Sequence, residues 1–209
     1  MRRVIVVFLV CLCVLGINAQ DMSSVFTSMP DQHIPQLESA WRKDLVDLYK
    51  SGKEARLKNR MDGFSQLDSL TENYMMLRTT ERSCVEMKLL PLVNNTYVVC
   101  MVSTVYAPVP DSRIEFFTTS WEPLPATDLF ESPSGDWYLK VDVDKESDGF
   151  KAAISTLDMD LVRYQLSPDS YTLTATYSTP LYLDEESRER LKPYLAEPKV
   201  YTWEKYRFK

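Results

Sequence analysis

The stretch from Tyr97 to Val105 carries no charged side chain and is almost wholly apolar. A strand of that composition has no face to show to water, so it belongs in the middle of a sheet with cover on both sides. Its neighbours differ. Val85, Met87 and Leu89 alternate with Glu86 and Lys88, and Ile114, Phe116 and Thr118 alternate with Arg113 and Glu115. Alternation of that kind marks a half-buried strand. Asn94-Asn95 supplies the first turn, and Pro108 with Pro110-Asp111-Ser112 the second. With Val93 opposite Thr96, Cys100 faces Leu89, Cys84 faces Val105 and Met87 faces Val102. Met87, Leu89, Cys100 and Val102 then form one inner patch, and Glu86 lies on a wet outer face. The back of the central strand needs a cover, which the region 121–135 or a second helix can supply.

The rest of the chain adds elements to this sheet. Residues 21–32 read as a loose lead-in. A helix follows, starting between Pro30 and Pro35, with Ile34, Leu37, Trp41, Leu45 and Leu48 on one stripe. Arg42, Lys43, Asp44 and Asp47 lie off the stripe, and Gly52 is placed to end the helix. Tyr74 to Arg78 is a further candidate strand. Prolines and acids crowd the segment from Trp121 to Gly135, which is the candidate seam if the chain has two halves. Trp137 to Val143 reads as a short strand. Phe150, Ala153, Ile154 and Leu157 give a short helix capped by Ser147 or Asp148. Leu161–Leu166 and Tyr171–Tyr177 read as a hairpin, Asp184 caps a helix ending near Pro193, and Val200 to Phe208 reads as a final strand. Pro110-Asp111-Ser112 recurs as Pro168-Asp169-Ser170, for which two similar turns are a simpler account than a duplication.

The N-terminus has the layout of an export signal. Met1-Arg2-Arg3 precedes an uncharged run of 14 residues, Val4 to Ile17, and then Asn18-Ala19-Gln20-Asp21. A basic start, a short apolar run and a small residue before polar sequence read as a signal peptide, 1–19, cleaved after Ala19. The run is short for a membrane anchor, which needs roughly 20 apolar residues. Cys11 and Cys13 sit mid-run behind Val10 and Leu12, a poor context for lipidation. Cleavage leaves 20–209 as a single domain without a second long apolar run, so the mature chain is not expected to span a membrane. Losing Arg2 and Arg3 takes the net charge from −6 to −8. Export permits disulfides, but Cys84 and Cys100 fall on opposite sheet faces in the register above, which favours two free buried thiols.

Composition closes several chemistries. There is one histidine, His33, so Ser-His-Asp, Cys-His and multi-histidine metal sites lack their imidazoles. The five glycines form neither a phosphate-binding loop nor a GxSxG elbow. The acidic balance opposes a nucleic-acid footprint, so no nucleic-acid partner is expected. Asp142, Asp144, Glu146 and Asp148 alternate before Gly149, as in a calcium loop. A frame starting at Asp142 puts Ser147 where glycine is wanted, and one starting at Asp144 puts Ser155 where the closing glutamate belongs. A solvated loop capping the next helix explains these acids better. Trp121, Trp137, Tyr138 and Tyr182 lie in or beside loops, where they either cover the core or stack on a sugar or peptide. Trp41 reads as core.

The segments Glu86-Met-Lys-Leu-Leu-Pro-Leu92, Asp111-Ser-Arg-Ile114, Leu157-Asp-Met-Asp-Leu161 and Ser167-Pro-Asp-Ser-Tyr-Thr-Leu-Thr-Ala-Thr-Tyr177 resemble a family of exported proteins of unknown function from Bacteroides-type anaerobic bacteria. The resemblance implies a Gram-negative envelope or secreted setting, periplasmic or extracellular, and brings no catalytic residues. The expectation is an α+β fold: an antiparallel sheet of about six to eight strands with helices packed against it. The leading function is a non-catalytic binding or accessory module with an unknown protein, peptide or glycan ligand. No catalytic, cofactor-binding or metal residues are assigned and no cofactor is expected. A carboxylate-based hydrolase, needing two acids across a cleft, and a calcium-stabilised surface protein are the alternatives.

Overall fold

Helix α1 (Met22–Ser28) occupies the expected lead-in: Asp21 caps it by accepting from the Ser24 N–H at 2.8 Å, and Met22, Val25 and Phe26 are buried. The computed structural model describes residues 21–93 and 96–209, so the export signal with Cys11 and Cys13, and the Asn94-Asn95 turn, lie outside the described residues. A single 3-10 turn, Asp31–His33, leads to helix α2 (Ser39–Lys50), which starts later than its apolar stripe suggests. Ile34 and Leu37 are buried but precede it. Gly52, at φ +69°, follows the helix end. Arg42, expected on the wet side, is fully buried. Its guanidinium donates to the carbonyls of Leu37 and Met29 and pairs with Asp31 at 3.0 Å, tying α2 to the α1–α2 connection.

Seven strands follow as an antiparallel meander, each beside its sequence neighbour: β1 (Arg56–Lys58), β2 (Phe64–Leu70), β3 (Tyr74–Thr80), β4 (Ser83–Pro91), β5 (Tyr97–Tyr106), β6 (Pro110–Thr118) and β7 (Pro123–Leu124). The fold is α+β, with α1 and α2 against one face of this sheet. There Met22, Phe26 and Leu45 meet Met75, Leu77, Met87, Leu89, Val99 and Met101. β6 begins at Pro110, so Pro110-Asp111-Ser112 is strand rather than turn.

The central hairpin is shifted by one residue from the two-residue turn. Leu89 faces Val99, Lys88 faces Cys100, and Met87 faces Met101 instead of Val102. Leu92 donates to the Thr96 carbonyl at 2.8 Å, which makes the connection three residues long, 93–95. A shift of one exchanges the faces of a strand. Cys84 and Cys100 therefore share a face, though they pair with Thr104 and Lys88, four positions apart along the ladder, and both are free thiols.

The opposite face of the meander is covered mainly by a second antiparallel sheet, to which region 121–135 adds Phe130. Its strand order is β11-β10-β9-β8, from β8 (Val162–Leu166), β9 (Thr172–Tyr177), β10 (Lys199–Glu204) and β11 (Arg207–Phe208). Tyr164, Leu166, Leu173, Ala175, Tyr201, Trp203 and Phe208 pack on Leu90, Cys100, Val102 and Phe116. Region 121–135 crosses between the sheets, with the buried Phe130 inside the second core and Ala126 and Leu129 of helix α3 (Ala126–Leu129) packed partly buried against it. Trp137–Val143 is not a strand; only Leu139 bridges, to Leu195. Helix α4 (Asp148–Ile154), capped by Ser147, and helix α5 (Glu185–Leu191), capped by Asp184, contact one another.

The two sheets are joined by side-chain oxygens. β8 is an edge strand, and three alternate amides of it point at the meander. Val162 N–H donates to Asp111 Oδ1 at 3.3 Å, Tyr164 N–H to Ser112 Oγ at 3.1 Å, and Leu166 N–H to Glu86 Oε2 at 2.9 Å. Lys88 Nζ donates to the Pro168 carbonyl at 2.7 Å, and Trp203 Nε1 to the Pro91 carbonyl at 2.9 Å. Glu86 and Lys88, expected on a wet face, are thus 5% and 1% exposed. Backbone donors that lose solvent need acceptors, and Asp111, Ser112 and Glu86 supply them along a seam that runs from exposed at Val162 to buried at Leu166.

Candidate ligand-binding cleft

A cleft of about 510 Å3 opens at the β10–β11 end of the second sheet, with residues 131–134 and Trp137 on its other side. The hairpin that shapes it turns at Lys205-Tyr206, both at positive φ, +47° and +70°. Such a two-residue turn folds Arg207 and Phe208 back beside Glu204 and Trp203. Val200–Phe208 is therefore two strands rather than one. Phe208 and Tyr201 belong to the apolar core and form the cleft's inner wall, where Phe130 meets Tyr201 edge-on at 5.0 Å.

Over this apolar wall the charge is positive. Lys199, Arg207 and Lys209 line the cleft against a single acid, Glu131. None of the four enters an ion pair among the described residues. Lys199 Nζ lies 4.8 Å over the Tyr201 ring. Two lining polar atoms are buried without a hydrogen-bond partner among the described residues, Tyr201 OH and Arg207 Nε. His33 Nε2, Arg42 Nε and Ser178 Oγ are in the same condition elsewhere among the described residues.

A second cleft, of about 350 Å3, lies between His33–Gln36 and the ends of β3, β4 and β5, and its lining holds no acid. His33 is packed edge-on to Phe117 at 4.7 Å and beside Trp121 at 5.3 Å, and burial holds its pKa below the ordinary value. The sole imidazole therefore sits on aromatic rings, its Nε2 buried without a hydrogen-bond partner among the described residues.

The buried seam between the sheets is perturbed but closed. Burial pushes the Glu86 carboxyl up, against the opposing pull of the Leu166 N–H, Arg163 and Tyr74. Burial lowers Lys88 and raises both thiols. Each of these groups is accounted for by packing.

Of the residues weighed in the sequence, Trp137 is the one that reaches the cleft. It meets Tyr138 and Tyr177 edge-on, both at 88°. Tyr138 stacks on Tyr177 at 3.9 Å. Trp121 is core, its Nε1 donating to the Val25 carbonyl at 3.1 Å. Trp41 packs partly buried on the helix-side core, and Tyr182 is exposed. The acids at 142–148 do not converge: Glu146 pairs with Lys151 at 2.8 Å and Asp144 accepts from the Glu146 N–H. Among the described residues no three of His, Cys, Asp and Glu gather where they could hold a metal. Nor does either large cleft set two acids face to face. Asp44 and Asp47 share a shallow depression, side by side on one helix. No helix among the described residues is long and apolar enough to cross a membrane.

Lys199, Tyr201, Arg207 and Lys209 were not singled out by their pattern. The available signal was Lys205, Arg207 and Lys209 at every second position after Trp203.

No curated protein matches the chain. A solved structure, a domain of an uncharacterized protein from Porphyromonas gingivalis W83, is similar over 90% of this chain and 96% of that one, at 28% identity and a TM-score of 0.78. The family described as "Protein of unknown function (DUF3256)" matches residues 14–208, and the chain belongs to it.

Proposed function

We propose that this protein is an exported, non-catalytic binding or accessory module of the cell envelope or the secreted space, and that the cleft beside β11 is its ligand site. One observation carries the reading: three cations without an ion pair among the described residues line the cleft beside Trp137, facing a single acid. Such a site has the means to hold a ligand. Among its described lining residues Glu131 is the single acid, and Ser132 and Ser134 have no histidine beside them, which favours holding a ligand over transforming one. The export half of the reading rests on the basic start, the 14-residue apolar run and Ala19.

Thermal unfolding against a panel of anionic, neutral and cationic small molecules tests the binding half. A saturable rise in Tm with an anion, lost in the Lys199→Gln/Arg207→Gln double variant, supports it. No rise with any member, or turnover of one, removes it. Mass spectrometry of protein from its native host tests the export half: a first residue at or within two positions of Gln20 supports it, and a retained Met1 removes it.

A further inference from the structure

The two sheets have four margins, and among the described residues three of them offer little ladder to an incoming strand. On β8 the donors at 162, 164 and 166 are taken by side-chain oxygens. On β7 the outward residue is Pro123, which has no N–H. On β11 both the N–H and the carbonyl of Lys209 are bonded to Thr202, so the outward groups belong to Phe208, which is 2% exposed.

The fourth margin, β1, is open. Leu67 N–H donates to the Ala55 carbonyl and Asn59 N–H to the Gly63 carbonyl, both at 2.9 Å. Residues 55, 57 and 59 therefore bond to β2, and the backbone groups of Arg56 and Lys58 point away from it at exposed positions. Beyond them the Arg60 N–H donates to the Gln36 carbonyl at 3.1 Å, which ends the open stretch.

The surroundings of this margin restrict what can pair with it. A depression of about 390 Å3 lies between α2 and β1, lined by the partly buried Leu48 and Leu57 and by Asp44 and Asp47. Arg56 and Lys58 alternate with Leu57 and face the other side of the sheet. There Arg56 lies 4.1 Å over the exposed Phe64 ring and enters no ion pair among the described residues, while Lys58 pairs with Asp62 at 2.8 Å.

Cations on an edge strand are a common guard against indiscriminate pairing. This guard is of one sign, so it selects. Two copies of the chain paired about Leu57 set Arg56 of each opposite Lys58 of the other, which is unfavourable. A strand with acids at those two positions meets opposite charge at both. Between them its side chain falls on the Leu57 side, over Leu48 and beside Asp44 and Asp47, where an apolar residue is favoured and a third acid is not.

We propose that β1 is a docking edge for an extended peptide of another protein that carries acid, apolar, acid at successive positions, added as an outer strand beside α2. This surface is separate from the cleft beside β11, and the proposal does not rest on that site.

The test is an NMR titration of the protein, following the backbone amides of Arg56 and Lys58. The probes are a capped nine-residue peptide of alternating glutamate and valine, the same peptide with lysine for glutamate, the glutamate peptide N-methylated along its backbone, and hexaglutamate. The expected result is saturable movement of both amides with the glutamate–valine peptide, and slower hydrogen exchange there. The other three probes should bind at least about tenfold more weakly. Arg56→Glu/Lys58→Glu, at two exposed positions, should reverse the preference to the lysine peptide. Arg56→Gln gives a second variant should the double one disturb the fold, and should weaken the glutamate peptide about threefold. Equal binding of the glutamate and lysine peptides overturns the proposal, as does undiminished binding of the N-methylated peptide or of hexaglutamate. An unchanged preference in both variants also overturns it. Movement at Lys199, Arg207 and Lys209 with none at Arg56 and Lys58 overturns the docking edge and leaves the binding reading above standing. Movement at Arg56 and Lys58 with protein concentration alone makes the occupant a second copy and overturns the proposal, and no movement with any probe overturns it too.

Discussion

Glu86 offers the sharpest test of how the two sheets are joined. Its carboxylate accepts from Leu166 N–H at 2.9 Å and Tyr74 OH at 3.4 Å while 5% exposed. Glu86→Ala leaves the Leu166 amide buried without an acceptor, a loss of about 1–3 kcal/mol. Glu86→Gln keeps an acceptor oxygen and the volume but cannot ionise. Burial is the largest influence on this group and raises its folded pKa above the 4.5 of a free glutamate. A raised folded pKa means that the folded state holds the proton more tightly than the unfolded one. The stability this supplies is fully present below 4.5 and is lost as pH rises through the folded value. For one proton the slope within that window reaches about 1.4 kcal/mol per pH unit. Urea unfolding of wild type, Glu86→Gln and Glu86→Ala from pH 4 to 9 measures this directly. Wild type should match Glu86→Gln at the acid end and fall below it as pH rises, with Glu86→Ala about 1–3 kcal/mol below Glu86→Gln throughout. A wild-type advantage that grows with pH would refute the reasoning, because attraction to Arg163 would then outweigh burial.

Leu89 is 1% exposed against Val99 on the helix side, so Leu89→Ala should cost roughly 2–5 kcal/mol in the same titration. Cys84 and Cys100 are free, buried and raised in pKa. A chain starting at Gln20 should therefore react negligibly with a thiol reagent when folded and take up two equivalents in denaturant; uptake of none would mean a disulfide. Tyr206 holds φ +70° without being glycine, so Tyr206→Gly should raise the unfolding free energy by about 0.5–1 kcal/mol; a loss would show that its side chain contributes more than its backbone costs.

Elements whose ends are marked by local chemistry were legible in the sequence. Ser147 and Asp184 cap the helices they were expected to start, and Ser167–Ser170 joins two strands placed within a residue of their observed limits. Elements marked only by tertiary contact were not. The β10–β11 turn uses Lys205-Tyr206, which carries none of the usual glycine or asparagine signal, and the candidate cleft depends on that turn. Region 131–137 and the last eleven residues meet only because both sheets are in place. Helix α1 did carry a signal, Asp21 ahead of Met22, Val25 and Phe26, but its lack of charged residues gives it the look of a linker. The hardest case was β4. Glu86 and Lys88 alternate with apolar residues as on any wet face, and nothing local distinguishes an acid that meets water from one that meets the backbone of another sheet.

The row of oxygens along β8 has a consequence for how the molecule meets its own copies. An unprotected sheet margin is a template on which other chains can assemble, and proteins usually guard it with charge, proline or a bulge. Here Asp111, Ser112 and Glu86 occupy the donors at 162, 164 and 166 as an incoming strand would. The donors of this margin are thereby taken from within the molecule. These amides should exchange with solvent deuterium in order of their burial, Leu166 as slowly as an interior strand and Val162 fastest.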